Sequence, residues 1–192
     1  MASGSTESLL KLLADQQAPS SHLRRMSELH ALFASDDNCV AAVLVGSYAQ
    51  GRGDRISDLD LGVFTQPGQA SNVLDKAHAI LSKGDVLYDY FGGSFKNCFR
   101  KYIYLDFSSC ELYADDIPTT FKLRSPYLPV WDPSGFLATL EVEEPAPRHE
   151  DFVAYQHGDA GLMWELFDCI KWIKRGRIEL AKSYLQKLVR KF

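Results

Sequence analysis

The 192-residue chain is sparing with cysteine, and its four, Cys39, Cys98, Cys110 and Cys169, form no C-x-x-C pair. That spacing argues against a zinc knuckle or a disulfide framework and for free buried thiols in a reducing compartment. No run approaches the ~18 apolar residues of a membrane span. Met1 to Thr6 lacks the basic and apolar regions of a signal peptide, so the expectation is a cytoplasmic protein with no membrane partner. There is no basic excess: the net charge of −4 counts against a general nucleic-acid binder, and nucleic acid is not the expected partner. No internal repeat or low-complexity segment is present. The five histidines (His22, His30, His78, His149, His157) fall on separate segments without zinc-ligand spacing.

What is present is an ordinary globular composition, 46% hydrophobic and 24% charged, enough for one domain and a smaller appendage. Charge is uneven. Residues 171–192 carry eight Lys or Arg against the single acid Glu179, which leaves the rest of the chain distinctly acidic.

Leucines at 9, 10, 12 and 13 predict a first helix over 6–17, and Pro19-Ser20-Ser21 opens a second through about Phe33. Cys39 to Val45 reads as a buried strand. A short helix is expected from Ser47, a strand from about Asp58 to Thr65, and a helix from Val73 to near Lys83-Gly84. Asp85–Tyr90 reads as a strand, Gly92-Gly93-Ser94 as a loop, and 100–107 with 110–115 as a hairpin. Leu128–Trp131 fits a short strand. Glu141 to Pro147, charged and proline-bearing, is the best linker. The expected division is 1–144, with N-terminal helices over 6–34 and the main sheet over 39–140, then a helical part over 145–192. Its two helices run from His149 to Trp172 and from Ile178 to Phe192. Trp164, Phe167, Ile170 and Ile173 are at helical spacing and read as core.

The densest information lies in Val43-Leu44-Val45-Gly46-Ser47-Tyr48-Ala49-Gln50-Gly51 and the following Ser57-Asp58-Leu59-Asp60-Leu61. Side chains alternate along a strand, so Asp58 and Asp60 share one face. Two carboxylates there repel unless a cation lies between them, and oxygen ligands suit magnesium with substrate phosphates. A glycine-serine turn leaving a strand presents backbone N–H groups to phosphates. The segment reads as a metal–nucleotide site.

Gly46-Ser47-x-Ala49-x-Gly51 with Ser57-Asp58-x-Asp60-Leu61 resembles the signature of the DNA polymerase β-type nucleotidyltransferase superfamily. The resemblance implies an α+β fold, a mixed β-sheet flanked by helices, with a short C-terminal helical appendage. It implies transfer of a nucleoside monophosphate, AMP from ATP or another nucleoside triphosphate, to an acceptor hydroxyl. Asp58, Asp60 and a third acid would hold two magnesium ions, which lie about 3.5–4 Å apart in such sites. Glu111, opening the apolar alternation of Glu111-Leu112-Tyr113-Ala114, is the best match for that acid. Asp106 is the runner-up, with Asp115 and Asp116 behind it. Gly46, Ser47 and Ser57 would cradle the phosphates, with Arg52 and Arg55 as candidates to neutralise them.

Within the superfamily, Val130-Trp131-Asp132-Pro133-Ser134-Gly135-Phe136 and Trp172-Ile173-Lys174-Arg175-Gly176 are similar to segments of aminoglycoside and lincosamide nucleotidyltransferases. That likeness implies a small-molecule acceptor. An acidic wall of Asp115, Asp116, Glu141, Glu143 and Glu144 would suit a cationic one. The short C-terminal part leaves room for a homodimer through its helices. A protein-directed transferase of the toxin–antitoxin type and a non-catalytic nucleotide-binding module remain open alternatives. Tyr88, Tyr90, Tyr102 and Tyr104 alternate along strands, so one set is placed to stack on a base.

Overall fold

The computed structural model describes residues 6–191. The expectations resting on Met1–Ser5 and on Phe192 lie outside the described residues. Contacts divide the chain into two compact units, with the break between Glu144 and Pro145.

In the first unit, helices α1 (Thr6–Asp15) and α2 (Ser20–Ser35) precede strand β1 (Cys39–Val45). A single turn of helix, α3 (Gly46–Ala49), leads through a loop to β2 (Leu59–Thr65) and α4 (Ala70–Leu81). Strands β3 (Val86–Gly93), β4 (Asn97–Tyr104) and β5 (Ser109–Asp116) follow, then β6 (Leu123–Arg124) and β7 (Leu128–Trp131). A 3₁₀ turn (Phe136–Leu140) and β8 (Glu141–Val142) complete the unit.

The main sheet is mixed, in the order β3-β4-β5-β2-β1-β7, with β2 and β5 parallel and their other neighbours antiparallel. A parallel pair needs a long crossover, and α4, β3 and β4 provide it. One sheet face, carrying Ala42, Leu44, Leu59, Leu61, Val63, Tyr102, Tyr104, Leu112 and Ala114, is buried with apolar residues of α2 and α4. The other face is apolar only at the β1–β2 end, where Ala41, Val43 and Phe64 meet Leu123, Leu137, Phe121 and Phe136. Its remaining area carries the polar and aromatic residues considered below.

Several boundaries differ from expectation for physical reasons. Gly92 and Gly93 are strand, not loop, because Gly92 makes room for the Phe99 ring lying over it: a Cβ at 92 would stand 2.4 Å from that ring. Glu141-Val142 is not linker but pairs in parallel with Leu123-Arg124. Asp132 owes its place in the Trp-Asp-Pro motif to capping, since its carboxylate accepts the N–H groups of Phe136 (2.8 Å) and Leu137 (3.2 Å).

The second unit holds a 3₁₀ turn (His149–Asp151), then α5 (Gly158–Lys174) and α6 (Ile178–Val189). The first long helix therefore starts nine residues later than His149, after a segment pinned by a buried acid. Glu165 accepts the backbone N–H of Tyr155 (2.8 Å) and of Gln156 (3.2 Å), and the Tyr184 hydroxyl (2.9 Å). Ala154, Cys169, Trp172, Ala181, Tyr184 and Leu188 form its core. Of the expected stripe, Trp164 and Phe167 are buried, but Ile170 and Ile173 are 44% and 49% exposed. The stripe straddles the boundary of the buried face.

Candidate active site

Asp60 is the second residue of β2 and lies opposite Val45 of β1 on one side and Glu111 of β5 on the other. Directly opposed residues share a face, so Asp60 and Glu111 stand side by side. Lys101 of β4 is opposite Glu111, and Tyr90 of β3 is opposite Lys101. One row across the sheet thus reads Tyr90, Lys101, Glu111, Asp60, Val45. The next row reads Gly92, Phe99, Tyr113, Gly62, Val43.

Asp58 precedes β2 and receives a hydrogen bond from the Ser109 hydroxyl, which places it beside the start of β5. Gly46 has φ +72°, the left-handed region, and a Cβ there would lie 2.0 Å from Asp60 Oδ2. Only glycine lets the backbone meet that carboxylate so closely. Asp58, Asp60, Glu111, Gly46 and Ser47 are therefore brought to one end of the sheet.

The loop between α3 and β2 is held from below. The Tyr48 hydroxyl donates to the Asp54 carbonyl (2.7 Å), and Gln16 bridges the Tyr48 carbonyl and the Gly53 N–H. His22, fully buried, hydrogen-bonds through Nε2 to the Ser57 carbonyl (3.1 Å). Burial pushes its pKa down to about 4, with the Arg25 guanidinium adding to that and the Ser57 carbonyl, Asp58 and Asp106 opposing it. The neutral imidazole is thus the N–H donor that fixes the residue before Asp58.

Other expected residues are engaged elsewhere. The Ser57 hydroxyl is buried in its own turn, donating to Asp54 Oδ1 (2.9 Å) and accepting the Asp54 N–H. Arg52 donates to Gln50 and is exposed, as is Arg55. Asp106 lies in the turn after β4, accepting from Ser108 and from Ser21 (2.7 Å). Burial works against its charge, yet those hydrogen bonds hold its carboxyl below the usual range.

Most of the expected acidic wall is consumed by the fold. Asp116 is buried at the end of β5 and caps α4, accepting the N–H groups of Gly68, Gln69 and Ala70 and the Thr65 hydroxyl. Burial opposes ionisation there, but these donors outweigh it and lower the pKa. Asp115 accepts from Thr119, Glu141 from Ser125 and Tyr127, and Glu144 from Lys122 and Arg124.

Lys101, which the sequence did not single out, changes the site most. Its ammonium, on a residue only 8% exposed, lies 3.0 Å from Glu111 Oε1 and 5.6 Å from the Phe99 ring centre. Burial first, then the Glu111 carboxylate hydrogen-bonded to it, push the Tyr113 hydroxyl well above its ordinary pKa. Glu111 is thus held by Lys101. Among the described residues, no three His, Cys, Asp or Glu side chains converge as a ready-made metal cage. Asp58 and Asp60 still fit magnesium, which binds through one or two carboxylates and completes its shell with water and phosphate oxygens. The donor set is all oxygen. Of the tyrosines, Tyr102 and Tyr104 belong to the core, whereas Tyr90 is on the face that carries Asp60.

No protein-family model matches the sequence, and no curated protein matches it. Among solved structures, Cid1 poly(U) polymerase bound to magnesium and 3′-dATP aligns with a TM-score of 0.38 and 13% identity, over 59% of this chain and 36% of that one. A cytoplasmic RNA terminal U-transferase aligns with a TM-score of 0.37 and 13% identity, over 59% and 36%. The GLD-2/RNP-8 complex aligns with a TM-score of 0.35 and 18% identity, over 57% and 43%. The chain thus spans less than half the length of these matched proteins. Likeness at this level carries no argument about activity, which has to be built from the residues themselves.

Proposed function

We propose that the protein is a magnesium-dependent nucleotidyltransferase that moves a nucleoside monophosphate from a nucleoside triphosphate to the hydroxyl of a small acceptor. The observation that carries this reading is the in-register pair Asp60–Glu111, with Asp58 beside it and the Gly46 backbone against Asp60. Lys101 balances Glu111, and a divalent cation would balance Asp58 and Asp60.

Asp58 and Asp60 would hold the magnesium, with Glu111 as third carboxylate. The ion, when bound, supplies charge neutralisation for the triphosphate and polarises the acceptor hydroxyl. Ser47 and the backbone after Gly46 would bind the outer phosphates on the β1 side of Asp60. Glu111, held by Lys101, would take the proton leaving the acceptor hydroxyl. The overall step forms a bond from acceptor oxygen to the α-phosphorus and breaks the bond to the departing pyrophosphate. Ser57 and Asp106 serve the loops around the site, and Arg52 and Arg55 are left as exposed candidates for phosphate contact.

The test is pyrophosphate release from each of the four nucleoside triphosphates, with magnesium and a panel of hydroxylated acceptors. Asp60→Ala should lower the rate by at least about 10³-fold, the scale of losing a group that acts chiefly in the transition state. Tight nucleotide binding with no pyrophosphate release and no labelled product would instead mark a non-catalytic binding module.

A further inference from the structure

Beyond Glu111, away from Gly46, the same sheet face continues as an aromatic strip. Phe99 and Tyr113 have ring centres 5.2 Å apart, and Tyr90 packs edge-on to Phe99 at 5.7 Å. Phe99 is held down by its seat over Gly92, while Tyr113 is 36% exposed and Tyr90 half-buried. The strip therefore presents a fixed floor with open rings at its surface, continuous with the carboxylates. Since Gly46 and Ser47 lie on the other side of Asp60, the donor's phosphates and this strip flank the reacting position from opposite sides.

Lys101 sets the charge of the strip. Its ammonium already occupies Glu111 and lies near the Phe99 ring, so an incoming cation finds both attractive partners taken and meets a like charge. Of the carboxylates expected to draw a polycation, Asp115, Asp116, Glu141 and Glu144 are spent on hydrogen bonds and ion pairs of the fold, and Glu143 is exposed outside the Glu111 row. Aromatic side chains next to a polar group favour ligands with a flat ring face, whose stacking needs no charge.

Resting on the transfer reading above, we propose that the acceptor binds on the Tyr90–Phe99–Tyr113 strip with Lys101 as the residue that selects against cations. The acceptor is a hydroxyl compound with a flat ring face and no positive charge. The ring face is either that of a sugar or that of an aromatic base.

The full chain, with magnesium and labelled nucleoside triphosphates, is offered p-nitrophenyl β-glucoside, uridine and kanamycin. Label is expected on the glucoside, which identifies a sugar or phenyl face, or on uridine, which identifies a base. Tyr90→Ser should raise the acceptor KM at least tenfold and the donor KM less than twofold, and Tyr113→Leu should raise the acceptor KM by a similar factor. Kanamycin binding, followed by calorimetry, should be weak in the wild type and at least tenfold tighter in Lys101→Gln. Labelling of kanamycin by the wild type, an unchanged acceptor KM in both aromatic variants, or unchanged kanamycin binding in Lys101→Gln overturns the proposal. So does transfer to none of the three while Asp60-dependent pyrophosphate release persists. Absence of any magnesium-dependent nucleotide binding would overturn the transfer reading itself.

Discussion

His22 makes the support of the Asp58 loop measurable through pH. In the folded protein its pKa is lowered from 6.5 to about 4, mainly by burial. The unfolded chain therefore binds the proton first as pH falls, and between about 6.5 and 4 stability declines with acid. Two and a half units correspond to a full loss on the order of 3 kcal/mol, of which about 2 kcal/mol falls between pH 7 and pH 5. His22→Gln keeps an N–H donor for the Ser57 carbonyl and removes the titration. Urea unfolding of both proteins at pH 7, 6 and 5, without metal, isolates the effect from the carboxylates and the other histidines. The wild type should lose about 2 kcal/mol more than His22→Gln over that span. Parallel curves would refute the claim that a neutral, buried imidazole holds the loop.

Two further outcomes follow from the geometry. Gly46→Ala forces a non-glycine residue to φ +72° and drives its Cβ into Asp60. It should cost at least about 1–2 kcal/mol in denaturant unfolding and weaken magnesium-dependent nucleotide binding more than tenfold. Binding within twofold of wild type would show that the contact with Asp60 is relaxed at no cost. In the second unit, Glu165→Ala strands two backbone N–H groups and leaves the Tyr184 hydroxyl only its longer bond to the Val153 carbonyl (3.3 Å). A loss of about 3 kcal/mol is expected by thermal or urea unfolding, and a change under 1 kcal/mol would mean that water replaces the carboxylate.

The parts of this architecture legible in the sequence are those with a local signature. Apolar runs and their breakers located α1, α2, β1, β2 and α4 to within a few residues, and the alternation at Asp58 and Asp60 put both acids on one face. The position of Glu111 beside Asp60 has a local sign, an acid opening an apolar alternation. Lys101, His22, Gln16 and Ser109 were not reachable. Each acts on a residue between 10 and 51 positions away, through a register that no local pattern encodes. Asp116 shows the same limit from the other side: an acid that reads as surface charge is a buried cap for a helix 46 residues earlier. Ile170 and Ile173 fit a 3.6-residue period, but period alone does not say how wide the buried stripe is.

The parallel, residue-for-residue match of Leu59–Thr65 with Cys110–Asp116 constrains how the protein can change length. One residue inserted between Glu111 and Leu112 leaves the apolar remainder of β5 in place and turns Glu111 to the opposite face, so the protein folds and the carboxylate is lost from its row. Insertions in the turns at Gly84–Asp85 or Phe95–Lys96 leave that register untouched. Length variation among functional versions of this chain should therefore collect in those turns and avoid the starts of β2 and β5, where a deletion of one codon is as damaging as removal of the acid itself.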